Sequence, residues 1–474
     1  MDEARPEAAP LRSSWLEIFA GRQGLYTALL NFGILLFGID TFMVNTLMPT
    51  IVADIGEVAY YAWVAMLFVV GAIVGSASYG PVRMRLGGRN TLALGGATFT
   101  AAALACSLAP HMAPLLAARF VEGWGGGLIV AGSMSFTYAL YEPRLMTRVI
   151  AFTSVTYIGA ALVGPIIGGI FADLAWWRGA FWLYVPFGVM FVAGVLVIVP
   201  READRSPAGS GVRRLPISRL LLLGVGVICV GAAGRVHDTW LRPAFLVGAV
   251  VIVWFAFARD ARAENRLFPS HPLSWSRPVG LGYWVLMLVV STYSAISIFL
   301  PLVLTVIYGI APLYVGALNA MMSISWSITA ALVAGLHGGA ERRAMAAGPL
   351  CILAGSAGLA ITTLLAGHIA LIALFSVVVG FGIGFINVHM MAKVMAAALP
   401  GEESITASSL STVRSLGQAF GSAMAGTIAN IAGLEETVSR EAVSAAASGV
   451  YLFNVIPLAL AAFMVMRFFR ASGQ

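Results

Sequence analysis

The chain is 474 residues long, 59% hydrophobic and only 10% charged, with a mean hydropathy of +0.90. Too few polar residues are present to coat a water-soluble globule, and apolar runs of roughly 17 to 28 residues, each long enough to cross about 30 Å of hydrocarbon as a helix, exclude a barrel of alternating strands. A net charge of +7 does not imply nucleic acid, because the basic residues fall mainly in short loops between apolar segments.

Residues 1–24 read as a polar cytoplasmic tail with no cleavable leader, in which Ser14-Trp15-Leu16-Glu17 fits a capping box opening a short interfacial helix. A frayed tail is the alternative. Fourteen spans are predicted at about 25–52, 59–82, 89–109, 114–140, 146–173, 179–199, 217–234, 243–258, 278–306, 312–335, 344–366, 369–397, 405–431 and 447–469. They group into a six-helix bundle over 25–200, a linker over 201–276 with two extra transmembrane helices, and a second six-helix bundle with a short tail over 277–474. With the N-terminus inside, only Arg178, Arg235, Arg242 and Arg440 lie outside and Arg119 and Arg414 within spans, leaving 22 of the 28 basic residues on the cytoplasmic side. Both termini are therefore expected to be cytoplasmic. The same rule does not separate fourteen spans from twelve, since removing the linker pair leaves every other helix oriented as before. The glycine-rich basic loops from Gly80 and Gly335 suggest that the two sixes are weak repeats.

Chemistry concentrates in a few positions. Asp40 and Glu122 are the acids placed well inside spans; with Arg119 and Arg414 they form the expected buried charge inventory. Arg119 and Glu122, three residues apart, share one helix face and can pair, either as a self-neutralising structural pair or as a proton-handling site. Asp40, for its part, is either a proton carrier or a structural acid capped by Thr41 or Asn45, and Pro49 predicts a kink beyond it. Asn45, Trp124, Asn387, His389 and Arg414 are candidates for a substrate cavity or pathway, although a lone histidine is more often a packing residue. Cys106, Cys229 and Cys351 form no metal-binding or disulfide pattern and read as small packing residues.

Several of these stretches carry a family resemblance. IDTFMVNTLMP from Ile39, with Asp40, Thr41, Asn45 and Pro49, resembles the first-helix motif of the fourteen-spanning drug:proton antiporters of the major facilitator superfamily. GAALVGPIIGG resembles their fifth-helix antiporter motif through Gly159, Gly164, Pro165, Gly168 and Gly169. RFVEGWGGG is similar to the fourth-helix motif through Arg119, Gly123 and Gly125, with Glu122 where glutamine is usual. WWRGAFWLYVPFG and TVRSLGQAFG also resemble segments of that group. The cytoplasmic loop motif keeps Gly80, Arg85, Gly87 and Arg89 but has Met84 in place of its aspartate. The resemblance implies an all-α polytopic major facilitator fold and a multi-pass protein of the cytoplasmic membrane. It further implies proton-coupled export of hydrophobic, in some cases cationic, small molecules by alternating access. Asp40 would be the principal proton carrier, with Glu122 and Arg119 as a coupled second site. Protons would be the coupling ion, with no metal or other cofactor, no nucleic acid, and a functional monomer in the bilayer. A transporter of a specific metabolite, lipid or siderophore is the nearest rival. A receptor or scaffold without transport is the rival of another class, and no pattern of a membrane enzyme is present.

Overall fold

Long apolar segments broken by glycine, proline and charged residues fold as helices, because inside a bilayer only a helix satisfies every backbone group locally. The computed structural model describes residues 15–200, 217–238 and 240–471. Their helices are α1 (Gly21–Ile55), α2 (Trp63–Leu86), α3 (Gly88–Ser107), α4 (Met112–Leu140), α5 (Pro143–Asp173), α6 (Trp177–Trp182), α7 (Tyr184–Ile198), α8 (Ile217–Ala233), α9 (Leu241–Ala261), α10 (Pro278–Val306), α11 (Pro312–Val333), α12 (Gly338–Leu364), α13 (Ile369–Ala396), α14 (Glu403–Ile431), α15 (Arg440–Phe453) and α16 (Val455–Ala471). Among the described residues, eleven segments are long and apolar enough to span a membrane on their own, whereas α3, α8 and α14 are too short or too rich in small and polar residues. The sixth predicted span is broken at Leu183 and the last at Asn454.

Ser14 of the predicted capping box lies outside the described residues. A short 3-10 helix follows it at Trp15–Phe19, with Ile18 buried against Tyr26, Tyr141, Leu145 and Val149 while Trp15, Leu16 and Phe19 stay exposed. Pro49 sits inside α1, which continues past it to Ile55.

Helices α1–α7 form one bundle and α10–α16 another. Within the first, α2 and α4 make the closest seam. Gly71 and Gly75 on α2 face Gly123 and Gly127 on α4, each with the partner helix's backbone where a Cβ would stand. Two four-residue glycine spacings so opposed let backbones touch, the usual way helices bind in lipid, where no hydrophobic force distinguishes neighbour from solvent. On α5, Gly164 and Gly168 do the same for α1: a Cβ on Gly164 would lie 2.8 Å from the Ile39 carbonyl oxygen, and one on Gly168 2.6 Å from that of Met43. Gly169 meets α11 of the other bundle instead, 2.7 Å from the Pro312 oxygen, while Gly159 has open space around it.

Both described ends of the chain lie at one end of the molecule, called here the terminal end. The bundles meet at the opposite, far end. There Asn45 of α1 donates to Ser297 of α10 (3.2 Å), Asn430 of α14 donates to the Ala59 carbonyl (2.9 Å), and Tyr61 packs on Phe299. Gly316 of α11 abuts the Pro165 backbone of α5. Helix α8 lies along the seam between bundles: Gly224 and Gly231 pack on Val70, Met66 and Trp63 of α2, and Thr427 of α14 donates to the Val230 carbonyl (2.7 Å). Just beyond α8, Arg235 pairs with Glu435 of the second bundle (2.5 Å) and lies over the Tyr60 ring of the first (4.5 Å).

The buried charge inventory is larger than the sequence reading had it. Arg219 on α8 and Asp260 on α9 are 5% and 3% exposed and paired, and Asp260 also accepts from the Leu267 and Phe268 amides (2.8 and 3.1 Å). Both sit near helix ends, so depth along the helix gave no warning; the turn after α9 folds over them.

Candidate functional site: a charge cluster in the first bundle

In the middle of the first bundle three ionisable side chains converge. Arg119 Nη1 donates to both carboxylate oxygens of Asp40, at 3.0 and 2.8 Å, and to Glu122 Oε2 at 2.7 Å. None of the three is more than 1% exposed. The i,i+3 spacing on α4 puts Glu122 within reach of Arg119. Asp40 arrives from α1 because Gly164 and Gly168 let that helix lie against α5 while it packs on α4.

Asp40 is therefore bound by Arg119 and not by the expected caps. Thr41 donates to the Phe37 carbonyl one turn back (2.8 Å), and Asn45 is turned toward Ser297.

The surrounding shell excludes water with aromatic faces and one thiol. The Arg119 guanidinium lies over the Phe68 ring at 4.1 Å, with Phe181 at 5.9 Å, which favours a cation kept out of water. Phe68 reaches it because Gly123 admits the Phe68 backbone against α4. Cys106 of α3 donates its thiol to Glu122 Oε2 (3.3 Å), a specific polar role in place of the plain packing expected of it. Arg119 Nε and Glu122 Oε1 have no hydrogen-bond partner among the described residues.

The other sequence candidates fall elsewhere. Trp124 is half-buried, and its backbone forms part of the α2–α4 seam. His389 Nε2 lies 2.9 Å from the Val333 carbonyl oxygen, and its Nδ1 3.5 Å from Glu341, which also pairs with Lys393 (3.3 Å). That cluster ties α11, α12 and α13 at the terminal end, while Asn387 is buried on α13 nearby. Arg414 is partly accessible on α14, with Nη1 3.4 Å from the Met391 sulfur.

In the loop motif, Gly87 has a positive φ of 80°. Arg83 donates to Ser135 and Arg89 to the Leu196 carbonyl (3.0 and 3.1 Å), both within the first bundle, and Met84 is exposed. Arg85 is likewise on the last turn of α2, and Gly80 has open space around it. In WWRGAFW, Trp177 Nε1 and Arg178 hold Asp54 at the end of α1, and Arg178 also donates to the Ala109 carbonyl. This pins α1, α3 and α6 together. Residues that sequence reasoning missed, Phe68, Phe181 and Arg235 among them, act through contacts between distant segments and have no local signature.

Two helical bundles, a glycine-welded first half and a dry charge cluster within it define a polytopic transporter. The chain belongs to the Major Facilitator Superfamily, whose family model matches residues 30–422. Among its relatives, it is 29% identical to the probable multidrug-efflux transporter Rv1634 of Mycobacterium tuberculosis, over 96% of each chain. It is 23% identical to multidrug resistance protein 3 of Bacillus subtilis, over 84% of this chain and 77% of that one. Solved structures share the fold at lower identity. A POT family transporter in complex with a thioalcohol-conjugated peptide superposes with a TM-score of 0.65 at 14% identity, covering 95% of this chain and 96% of its own. The nucleoside transporter NupG does so with 0.62 at 11%, covering 95% and 100%.

Proposed function

We propose that this chain is a proton-coupled antiporter of the cytoplasmic membrane, working as a monomer with no cofactor but protons, that exports hydrophobic small molecules by alternating access. One observation carries the reading: a single guanidinium faces two fully buried carboxylates on different helices. Arg119 balances one negative charge. The second is balanced only when one of the carboxylates holds a proton, because an uncompensated charge in a dry interior is too costly to keep. A site with this stoichiometry changes its proton occupancy when its access to water changes.

Motion of α1 against α4 would grant that access. Asp40 lies on α1, the helix whose Asn45 reaches across to the second bundle, so separating the bundles at the far end also loads or unloads the carboxylate. Basic residues crowd the loops of the terminal end, which supports a cytoplasmic terminal end and an external far end. The far-end contacts then describe a state closed to the outside. The multidrug-efflux relatives favour export over uptake.

The test is proton-driven substrate movement in proteoliposomes. Asp40→Asn should abolish coupling while the protein stays folded; transport by that variant at the wild-type rate under a pH gradient would remove Asp40 as carrier.

A further inference from the structure

Among the described residues, Arg414 is an ionic group in the interior of the second bundle that the charge cluster does not absorb. It stands on α14 eleven residues past Glu403, roughly 16 Å along the helix. Around it α14 is polar, reading SSLSTVRSLGQ, as suits a helix beside water more than one beside lipid. Tyr157 of α5, in the first bundle, is within electrostatic reach of it. Its hydrogen-bond partner within the protein is the Met391 thioether, a weak acceptor.

Arg119 shows how this fold treats a cation it means to keep: two carboxylates and an aromatic face. Arg414 has no such arrangement. The described acids of the second bundle, Glu341, Glu402, Glu403, Glu435, Glu436 and Glu441, all sit at helix ends or in loops. A guanidinium does not shed its charge and presents five donors in a plane. Leaving it partly accessible with one thioether for a partner is a standing cost, relieved when a planar anion arrives from outside the protein. The opposite charge pattern would be needed for a cation, and Asp40 and Glu122 are closed off at 0% exposure.

We propose that Arg414 is the recognition point for an acidic group on the transported molecule, so that the substrates are hydrophobic carboxylates or similar amphiphilic acids and not organic cations. This rests on the reading of the chain as an exporter and names its substrate class. The acid pairs with Arg414, and the apolar body lies between the bundles against Met391 and Tyr157.

The experiment uses pyrenebutyrate, its methyl ester and the matched pyrenebutyl trimethylammonium cation, titrated by tryptophan-to-pyrene energy transfer into the full-length protein in nanodiscs. Wild type should bind the carboxylate at least about tenfold tighter than the ester, the scale of one charge-assisted hydrogen bond. Arg414→Met should bring the carboxylate down to the ester's affinity and leave the ester unchanged, and Arg414→Lys should keep part of the preference. The proposal is overturned if wild type binds the cation as well as or better than the carboxylate, if it binds no carboxylate, or if Arg414→Met keeps the carboxylate preference. The wild-type comparison decides even if a variant does not fold. The two readings separate cleanly: Arg414-dependent carboxylate transport indifferent to a pH gradient sinks antiport alone, whereas proton-driven transport of the cation sinks the anion site alone.

Discussion

Glu122 is the residue whose substitution speaks most directly to mechanism. With glutamine there, Arg119 and Asp40 would face each other one to one and the surplus negative charge would vanish. On the proposed proton coupling, ligand binding should release protons, and Glu122→Gln should diminish that release, read with a pH dye in weakly buffered solution, while ligand affinity changes little. Unchanged release would make Glu122 a structural partner of Arg119 and Cys106. How much of this cluster could be read beforehand depended on distance along the chain. Arg119 and Glu122 sit three apart on one helix, so their pairing follows from helical geometry alone. Asp40 is 79 positions away and Phe68 more than 50; only the packing of α1 and α2 on α4 brings them in. Asp260 makes the converse point, since its place at a helix end suggested exposure and a folded-back turn buried it.

Among the elements, α4 has the most demanding sequence. Its glycines serve the neighbours on both sides: Gly123 and Gly127 meet α2, and Gly125 meets the Phe99 backbone of α3 at 2.5 Å. An alanine at Gly123 would place its Cβ on the Phe68 carbonyl oxygen and push the aromatic cover off Arg119. Gly123→Ala should cost about 1–3 kcal/mol by overpacking, seen as a lower melting temperature of the detergent-solubilised protein. Gly159→Ala, facing open space on α5, should be neutral or slightly stabilising, because alanine is the better helix former by about 1 kcal/mol. Equal melting temperatures for the two variants would refute this account of the α2–α4 seam. The α5 motif was visible in sequence because proline and four glycines crowd eleven residues. The α2 and α4 spacings were present too, but a glycine pair does not say which helix it will meet.

For the molecule as a whole, the far end carries a tie that neither bundle supplies alone. Arg235, from the linker, joins Glu435 of the second bundle to Tyr60 of the first, and α8 lies along both α2 and α14. Opening that end must release this contact or carry the linker along. Arg235→Ala should shift the population toward the state open at the far end. Spin labels replacing the exposed Leu108 and Leu365, at the far ends of α3 and α12, should report longer distances in the variant, and an unchanged distribution would rule the tie out as a latch. The two bundles were legible from hydropathy and loop charge, whereas the tie was not, since it is made of loop charges indistinguishable in sequence from those that only set orientation.

The imbalance of one guanidinium against two carboxylates has an electrical meaning when joined to an acid-binding Arg414. A proton entering while a monovalent anion leaves moves two charges in the same electrical sense per cycle. At about 2.3 kcal/mol per charge per 100 mV, an inside-negative membrane voltage would drive such a cycle even with no difference in pH. A potassium diffusion potential imposed on proteoliposomes at equal pH should then power pyrenebutyrate export, and a rate indifferent to voltage would show that the cycle moves no net charge.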